Sequence, residues 1–258
     1  MNATPDLQAV ASALLAARHG GPLPDADAFA AAVPDAAAAF RVQGLTLQAL
    51  GDDPARCRAW KSGGPSRTAV LTHAPLPSSG LLASGASATH LPLIHRMIEA
   101  EVALRLGRDV TVDMARALDA GRWEQALELV DGMAVTIELV DARWAQGFAV
   151  PAPMKLADLQ CHGGLVMGEF LPWKDRDWDK QSCEVWIGDS STSYVGTHAL
   201  GHPGWLLPTW LKHATRDGAT VPAGTVVTTG TWCGLLAAAK GDRVRAAFAG
   251  IGEASVQL

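Results

Sequence analysis

The chain has 258 residues, 48% hydrophobic and 18% charged, enough to bury the core of one sizeable domain. Its net charge of -5 excludes a basic nucleic-acid face or a membrane-surface patch as its organising feature. Four cysteines without CxxC spacing, Cys57, Cys161, Cys183 and Cys233, exclude a disulfide scaffold and argue against a zinc site.

The first apolar run, residues 10–17, follows Asp6 rather than a basic segment, so no signal peptide is expected. No stretch approaches the ~18 apolar residues that a bilayer span needs. A cytoplasmic protein with reduced thiols is the simplest expectation. Asp6 is placed to cap a helix running to Arg18, which Gly20, Gly21, Pro22 and Pro24 then stop. A second helix is expected over residues 35–50. Residues 62–90, rich in Ser, Gly, Pro and Thr, predict short strands and loops.

From residue 99 the pattern alternates to Leu106, and Gly107 ends the strand. Helices are expected over 111–120 and 123–130, then a β-branched strand over 134–139. In the last third, 184–187, 224–229 and 243–249 read as strands, and 204–215 as an amphipathic helix carrying Trp205, Leu206, Trp210 and Leu211. The sum is an α+β protein, mixed and mainly antiparallel. Residues 1–52 form an N-terminal helical segment in this reading, and 53–258 one catalytic core.

Glu99 and Glu101 are two apart, so on a strand both point to one face, while Val102, Leu104 and Leu106 point to the other. Carboxylates that close repel and raise each other's pKa unless a cation lies between them. Oxygen ligands suit Mg²⁺ or Mn²⁺. The bland alternative is a solvated strand face. Glu138 interrupts the otherwise apolar stretch 134–139, where a lone carboxylate must be paired, protonated or bound to a cation. An ion pair with Arg143 and a metal site are equally open on spacing alone.

These segments resemble a known family. Ile98-Glu-Ala-Glu-Val-Ala-Leu-Arg-Leu-Gly-Arg-Asp109 and Ile137-Glu-Leu-Val-Asp-Ala-Arg143 are similar to two acidic motifs of the fumarylacetoacetate hydrolase superfamily, in its 2-keto-4-pentenoate hydratase and 4-oxalocrotonate decarboxylase branch. Ala39-Phe-Arg-Val-Gln43, Trp60-Lys-Ser-Gly63, Gly196-Thr-His-Ala-Leu-Gly-His-Pro203 with Trp210-Leu211, and Ala223-Gly-Thr-Val-Val-Thr-Thr-Gly-Thr231 resemble further blocks in the family's order.

The resemblance implies a β-roll-like core of the superfamily's C-terminal-domain type behind a helical segment, and Mg²⁺ or Mn²⁺ held by Glu99, Glu101 and Glu138. It implies hydration of a short 2-oxo or 2-hydroxydienoic acid in aromatic catabolism. The alternatives are decarboxylation of a 4-oxalocrotonate-type acid, acylpyruvate C–C hydrolysis, or a silent ligand-binding subunit working with a related chain. A homo-oligomer is expected. Lys61, at the family's WKxG position, is the expected acid/base group, its pKa drawn down by a metal and desolvation. Gly230 and Thr231 are expected to hold the substrate carboxylate.

Two departures stand out. Where the family has D-N-x-S, this chain has Asp158-Leu-Gln-Cys161, followed by His162. Asp158 and Cys161 are therefore expected to touch substrate, with His162 as a substitute acid/base group. No carboxylate lies between Lys61 and Glu99, where the family carries one. Trp232 is expected to shape the far end of the pocket, and His202, Asp141 and Arg143 to be structural.

Overall fold

The structure is a computed structural model that describes residues 6–258. Helix α1 (Leu7–Arg18) is capped by Asp6, whose carboxylate accepts from the Ala9 N–H at 2.9 Å. A short α2 (Ala26–Phe29) follows, then α3 (Ala36–Ala49), capped in the same way by Asp35 on Ala38. Val10, Leu14, Ala39 and Val42 from α1 and α3 pack against Trp144 and Met154 as a cluster of their own.

The main sheet takes in β1 (Ala59–Gly63), β2 (Thr72–Pro75), β3 (Leu81–Ala83) and β4 (Met97–Leu106). After α4 (Val112–Ala117) come β5 (Val130–Val140), α5 (Ala152–Ala157), β6 (His162–Met167) and β7 (Leu171–Pro172). Then follow β8 (Ser182–Ile187), β9 (Ser190–Val195), α6 (Leu207–Ala214), β10 (Val226–Thr231), β11 (Leu236–Ala237), β12 (Arg243–Phe248) and β13 (Gly252–Gln257). The main sheet runs β2-β1-β10-β4-β5-β6-β3, with β11 beside β4 and β7 beside β5, and curls into a half-barrel. Only β1–β10 and β3–β6 pair in parallel within it. A second, antiparallel sheet runs β13-β12-β8-β9.

The even-numbered face of β4, Ile98 to Leu106, is buried against the core, as its alternation predicts. The other face is not solvated: Glu101 is 2% exposed. On that face Met97, Glu99 and Arg105 are half-buried, so it is neither a freely solvated face nor a second core face.

Three local differences have physical reasons. Residues 120–129 wind as 3-10 turns rather than an α-helix, broken where Arg122 leaves helical geometry (φ -129, ψ 46). The helix expected over 204–215 splits into a 3-10 turn (Pro203–Leu206) and α6, whose Pro208 lacks an N–H and fits only in a first turn. Strands β6 and β9 have no apolar alternation to announce them: β6 is buried almost throughout, and β9 is a largely exposed Ser-rich edge.

Candidate metal centre and cavity

Glu99 and Glu138 are directly opposed across the antiparallel β4–β5 pair, and Glu101 follows Glu99 on the same face. One oxygen from each of the three carboxylates lies within 4.8 Å of the others. That places three acids from two strands at one point in the sheet, close enough to grip a common hard cation.

Each acid is held from behind. The β4–β10 register shifts between Thr228 and Thr231, and this bulge aims the Gly230 N–H at Glu101 Oε2, 2.9 Å away. The Thr228 hydroxyl donates to the same oxygen and lies 3.0 Å from the Thr136 hydroxyl. Glu138 Oε1 accepts from Lys61 Nζ at 2.6 Å, and His162 Nδ1 lies 3.4 Å from it. Glu138 Oε2 is buried and has no hydrogen-bond partner among the described residues. An orphaned carboxylate oxygen beside two further acids is what a cation site leaves when the protein alone is counted, so these residues fit a divalent ion.

The electrostatics agree. Burial, then Glu101 and Glu138, push the Glu99 carboxyl up to about 8, against the pull of Lys61. Burial and Glu138 push Glu101 up to about 7, opposed by Lys61, Thr228 and Gly230. Burial also raises Glu138, against the pull of Lys61. The chain's own cation thus does not neutralise the cluster.

Lys61 lies in the field of the same three acids. Burial alone would lower its pKa, but Glu138, Glu99 and Glu101 outweigh burial and raise it above the ordinary lysine value. Lys61 Nζ makes a second bond, to the Gln160 carbonyl at 3.2 Å.

A cavity of about 460 Å³ opens over this cluster. Lys61, Glu99, Glu101, Gly230 and Thr231 line its sheet side, and Lys155, Leu156, Gln160 and Cys161 the side formed by α5 and the turn after it. Val140, Phe148 and Leu200 make its walls largely apolar. The turn is strained: Leu159, Gln160 and Cys161 have φ of 50°, 56° and 59°, three successive non-glycine residues in the left-handed region. Asn tolerates that conformation better than most residues. The Leu at 159 is instead fully buried, which helps hold the turn. The turn's product is the Gln160 carbonyl on Lys61.

Of the residues expected from sequence, Lys61, Glu99, Glu101, Cys161, Gly230 and Thr231 meet at this cavity, with Glu138 bonded to Lys61. Gly230 has its N–H committed to Glu101, and the Thr231 hydroxyl bonds the Gly234 carbonyl at 3.1 Å. Asp158 and His162 lie behind the site. Asp158 accepts from Arg18 at 3.2 Å and from the Arg143 N–H at 2.8 Å. His162 is fully buried, and burial with nearby Arg18, Lys61 and Arg143 holds its pKa well below the usual imidazole value. It borders a separate cavity with Arg18 and Arg143.

Trp232 does not shape the pocket: it is 1% exposed, packed with Trp178, Phe248 and His198. His202 accepts from the Gly204 N–H at 2.9 Å and pairs with Asp175, a structural role as expected. Asp141 accepts from the N–H groups of Ile94, His95 and Arg96, pinning the entry to β4. Among the lining residues that were not anticipated, three bear on the chemistry. His198 sits within a quoted motif and bonds the Thr229 carbonyl at 2.9 Å. Lys155 shares a helix face with Ala152 and Leu156, a spacing visible in the sequence. Nothing in the sequence marks Gln160.

A curled mixed sheet with carboxylates converging beneath a small, largely apolar cavity marks an α+β protein with an acidic centre open to that cavity. Residues 75–258 match the fumarylacetoacetate (FAA) hydrolase C-terminal family, and the chain belongs to that family. It is 31% identical over 167 residues to 2-keto-4-pentenoate hydratase 1 of Dechloromonas aromatica (strain RCB), a match spanning 63% of this chain and 60% of that relative.

In fold it is similar to 4-oxalocrotonate decarboxylase from Pseudomonas putida G7 complexed with magnesium and adipate, at TM-score 0.81 and 19% identity over 97% of this chain and 96% of the other. Fumarylpyruvate hydrolase from Pseudomonas aeruginosa, in complex with Mn²⁺ and pyruvate, matches at TM-score 0.51 and 17% identity over 78% and 89%. The relatives thus span hydratase, decarboxylase and hydrolase activities on one fold. No helix among the described residues is long and apolar enough to cross a membrane.

Proposed function

We propose that the chain is a divalent-cation-dependent lyase that hydrates a short 2-hydroxydienoic acid or its 2-oxo form. The observation that carries this reading is the set of three carboxylate oxygens within 4.8 Å of one another under a 460 Å³ cavity. Glu99, Glu101 and Glu138 would hold Mg²⁺ or Mn²⁺. Such an ion supplies Lewis acidity and a post for the paired oxygens of a 2-oxo acid.

The chain's own residues do the rest. Lys61 Nζ, charged and held between Glu138 and the Gln160 carbonyl, delivers a proton to the substrate carbon chain. Val140, Phe148 and Leu156 exclude bulk water around the carbon skeleton. Gly230 and Thr228 fix Glu101 so that it need not reorganise during turnover. Cys161 and Thr231 offer contact surface to the substrate. Asp158 and His162 support the site from behind.

Decarboxylation is the second reading. It is favoured by the lining itself, in which Glu99 and Glu101 are the carboxylates present and both belong to the cluster, leaving no separate acid to take a proton from water. One assay tests both readings. The purified chain is given Mg²⁺ with, in separate runs, a 2-hydroxydienoate and a 2-oxo-3-enedioic acid whose far carboxylate can leave as CO₂, and loss of dienol absorbance in the first and release of CO₂ in the second are followed. Absorbance loss with the dienoate supports hydration, and CO₂ release from the enedioic acid supports decarboxylation. No cation-dependent turnover of either substrate, alone or with a related chain, would overturn both.

A further inference from the structure

The second cavity that His162 borders has a volume of about 220 Å³, and none of the three clustered acids lines it. Its buried polar lining is Arg18, Arg143 and His162, whose side chains are 7%, 3% and 0% exposed. His19 and His90 are exposed members of the same lining, and no carboxylate lines it among the described residues. Arg18 Nη1 and Arg143 Nη1 both donate to the His162 carbonyl, each at 2.9 Å, so two guanidinium groups converge on one residue. Asp158 and Asp141 pair with them from outside the lining, at 3.2 and 3.9 Å. Burial, then the Arg143 charge, still hold the Arg18 guanidinium down at about 10 against the pull of Asp158.

Two polar atoms of this lining are left over. Arg18 Nε, a donor, and His162 Nε2 are buried without a hydrogen-bond partner among the described residues. His162 Nδ1 lies 3.4 Å from Glu138 Oε1, so its N–H faces a carboxylate oxygen. In a neutral imidazole Nε2 is then an acceptor. Gly80 keeps the space beside it open: a Cβ there would sit 3.1 Å from Nε2. A water molecule meets one donor and one acceptor, but it brings no negative charge to two converging guanidiniums.

We infer that this rear cavity binds a small oxyanion that also carries an O–H, of the hydrogen-phosphate type. Its charged oxygens accept from the guanidinium side, where Arg18 Nε is free, and its hydroxyl donates to His162 Nε2. The volume is below the ~300 Å³ at which pockets for drug-sized ligands begin, which favours a bare anion over a nucleotide. The inference goes beyond the metal-dependent reading and does not draw on it. The ligand belongs to the scaffold: Arg18 and Asp158 are bonded to each other behind the left-handed turn that carries Gln160.

The test titrates the metal-free full chain calorimetrically with inorganic phosphate and, separately, with sulfate, near neutral pH and at matched ionic strength. Sulfate has the same tetrahedral shape but no proton to donate at that pH. Phosphate should bind at one site, at least about tenfold more tightly than sulfate, because sulfate leaves His162 Nε2 unpaired. Gly80→Ala sets a methyl group beside Nε2 and should weaken phosphate binding by a similar factor. His90→Glu adds a competing carboxylate on the exposed lining and should weaken it as well, even if Gly80→Ala does not fold. Thermal unfolding without anion shows which variants are folded. Phosphate binding no tighter than that of sulfate, or unchanged in the folded variants, overturns the inference. So does the lack of saturable binding of either anion at millimolar concentration, which leaves the cavity to water. Each of these results leaves the metal-dependent reading standing.

Discussion

Glu99 and Glu138 occupy directly opposed positions on neighbouring strands, an arrangement in which like charges are destabilising unless something positive lies between them. Glu99→Gln should therefore leave the metal-free protein as stable as wild type or more so, by up to about 1 kcal/mol. The same change should weaken Mg²⁺ binding at least tenfold. Thermal unfolding with and without Mg²⁺ reads both effects. Wild-type protein should gain about 2.7 kcal/mol at a hundredfold excess of Mg²⁺ over its Kd. If Mg²⁺ stabilises the variant as much as the wild type, Glu99 is not a ligand.

A pH dependence follows from the same cluster. Without metal, burial and mutual repulsion raise Glu99 to about 8 and Glu101 to about 7, well above the unfolded range near 4.5. The folded chain then binds more protons than the unfolded one, so these groups' contribution to stability falls as pH rises from about 4.5 through 8. Mg²⁺ competes with those protons, so its affinity should climb over the same window and its binding should release protons. Calorimetry in buffers of different ionisation enthalpy counts them. A flat metal affinity from pH 5 to 8 would contradict the arrangement.

Lys61 can be separated from the acids it touches. Lys61→Met removes the proton donor and the ammonium that competes with a metal ion. Turnover should drop by about 10²- to 10⁴-fold, while Mg²⁺ affinity stays level or improves. Stopped-flow kinetics and metal titration on one preparation give both numbers. Loss of metal affinity in step with turnover would make Lys61 a positioning residue for Glu138.

The rear of the site should report on stability instead. Arg18 on α1 pairs with Asp158 at 3.2 Å and donates to the His162 carbonyl at 2.9 Å, both beneath the strained turn. Arg18→Met leaves the Asp158 carboxylate with a single N–H donor, and breaking a buried pair of this kind costs about 3–5 kcal/mol. Chemical denaturation would show the drop. A change under about 1 kcal/mol would mean that α1 does not brace the turn.

The elements that build the site were mostly legible in the residues. Alternation at 99–106 gave β4 its core face, and the paired acids on its other face were placed together by strand geometry alone. Glu138 stood out because a carboxylate inside an apolar run demands a partner. What stayed hidden depends on contacts between distant segments. The Gly230 N–H is engaged by Glu101 only because a bulge rotates it, and no residue type announces a bulge at that position. Gln160 reaches Lys61 through three left-handed residues, none of them the Gly or Asn that usually marks such a turn. Trp232 follows the strand in sequence but folds away into an aromatic layer, since its bulk is better buried there.

The fixing of Glu101 and Glu138 bears on which ions the centre prefers. Thr228 and Gly230 engage one oxygen of Glu101, and Lys61 engages one oxygen of Glu138, which leaves the second oxygen of each as the freer donor. A compact octahedral ion takes carboxylates one oxygen at a time and keeps its remaining positions for water and ligand. A larger ion of the calcium type gains most from gripping both oxygens of a carboxylate. On the proposed metal-dependent reading, ion discrimination would be tuned from outside the coordination sphere, by a threonine, a glycine and a lysine that need never touch the metal.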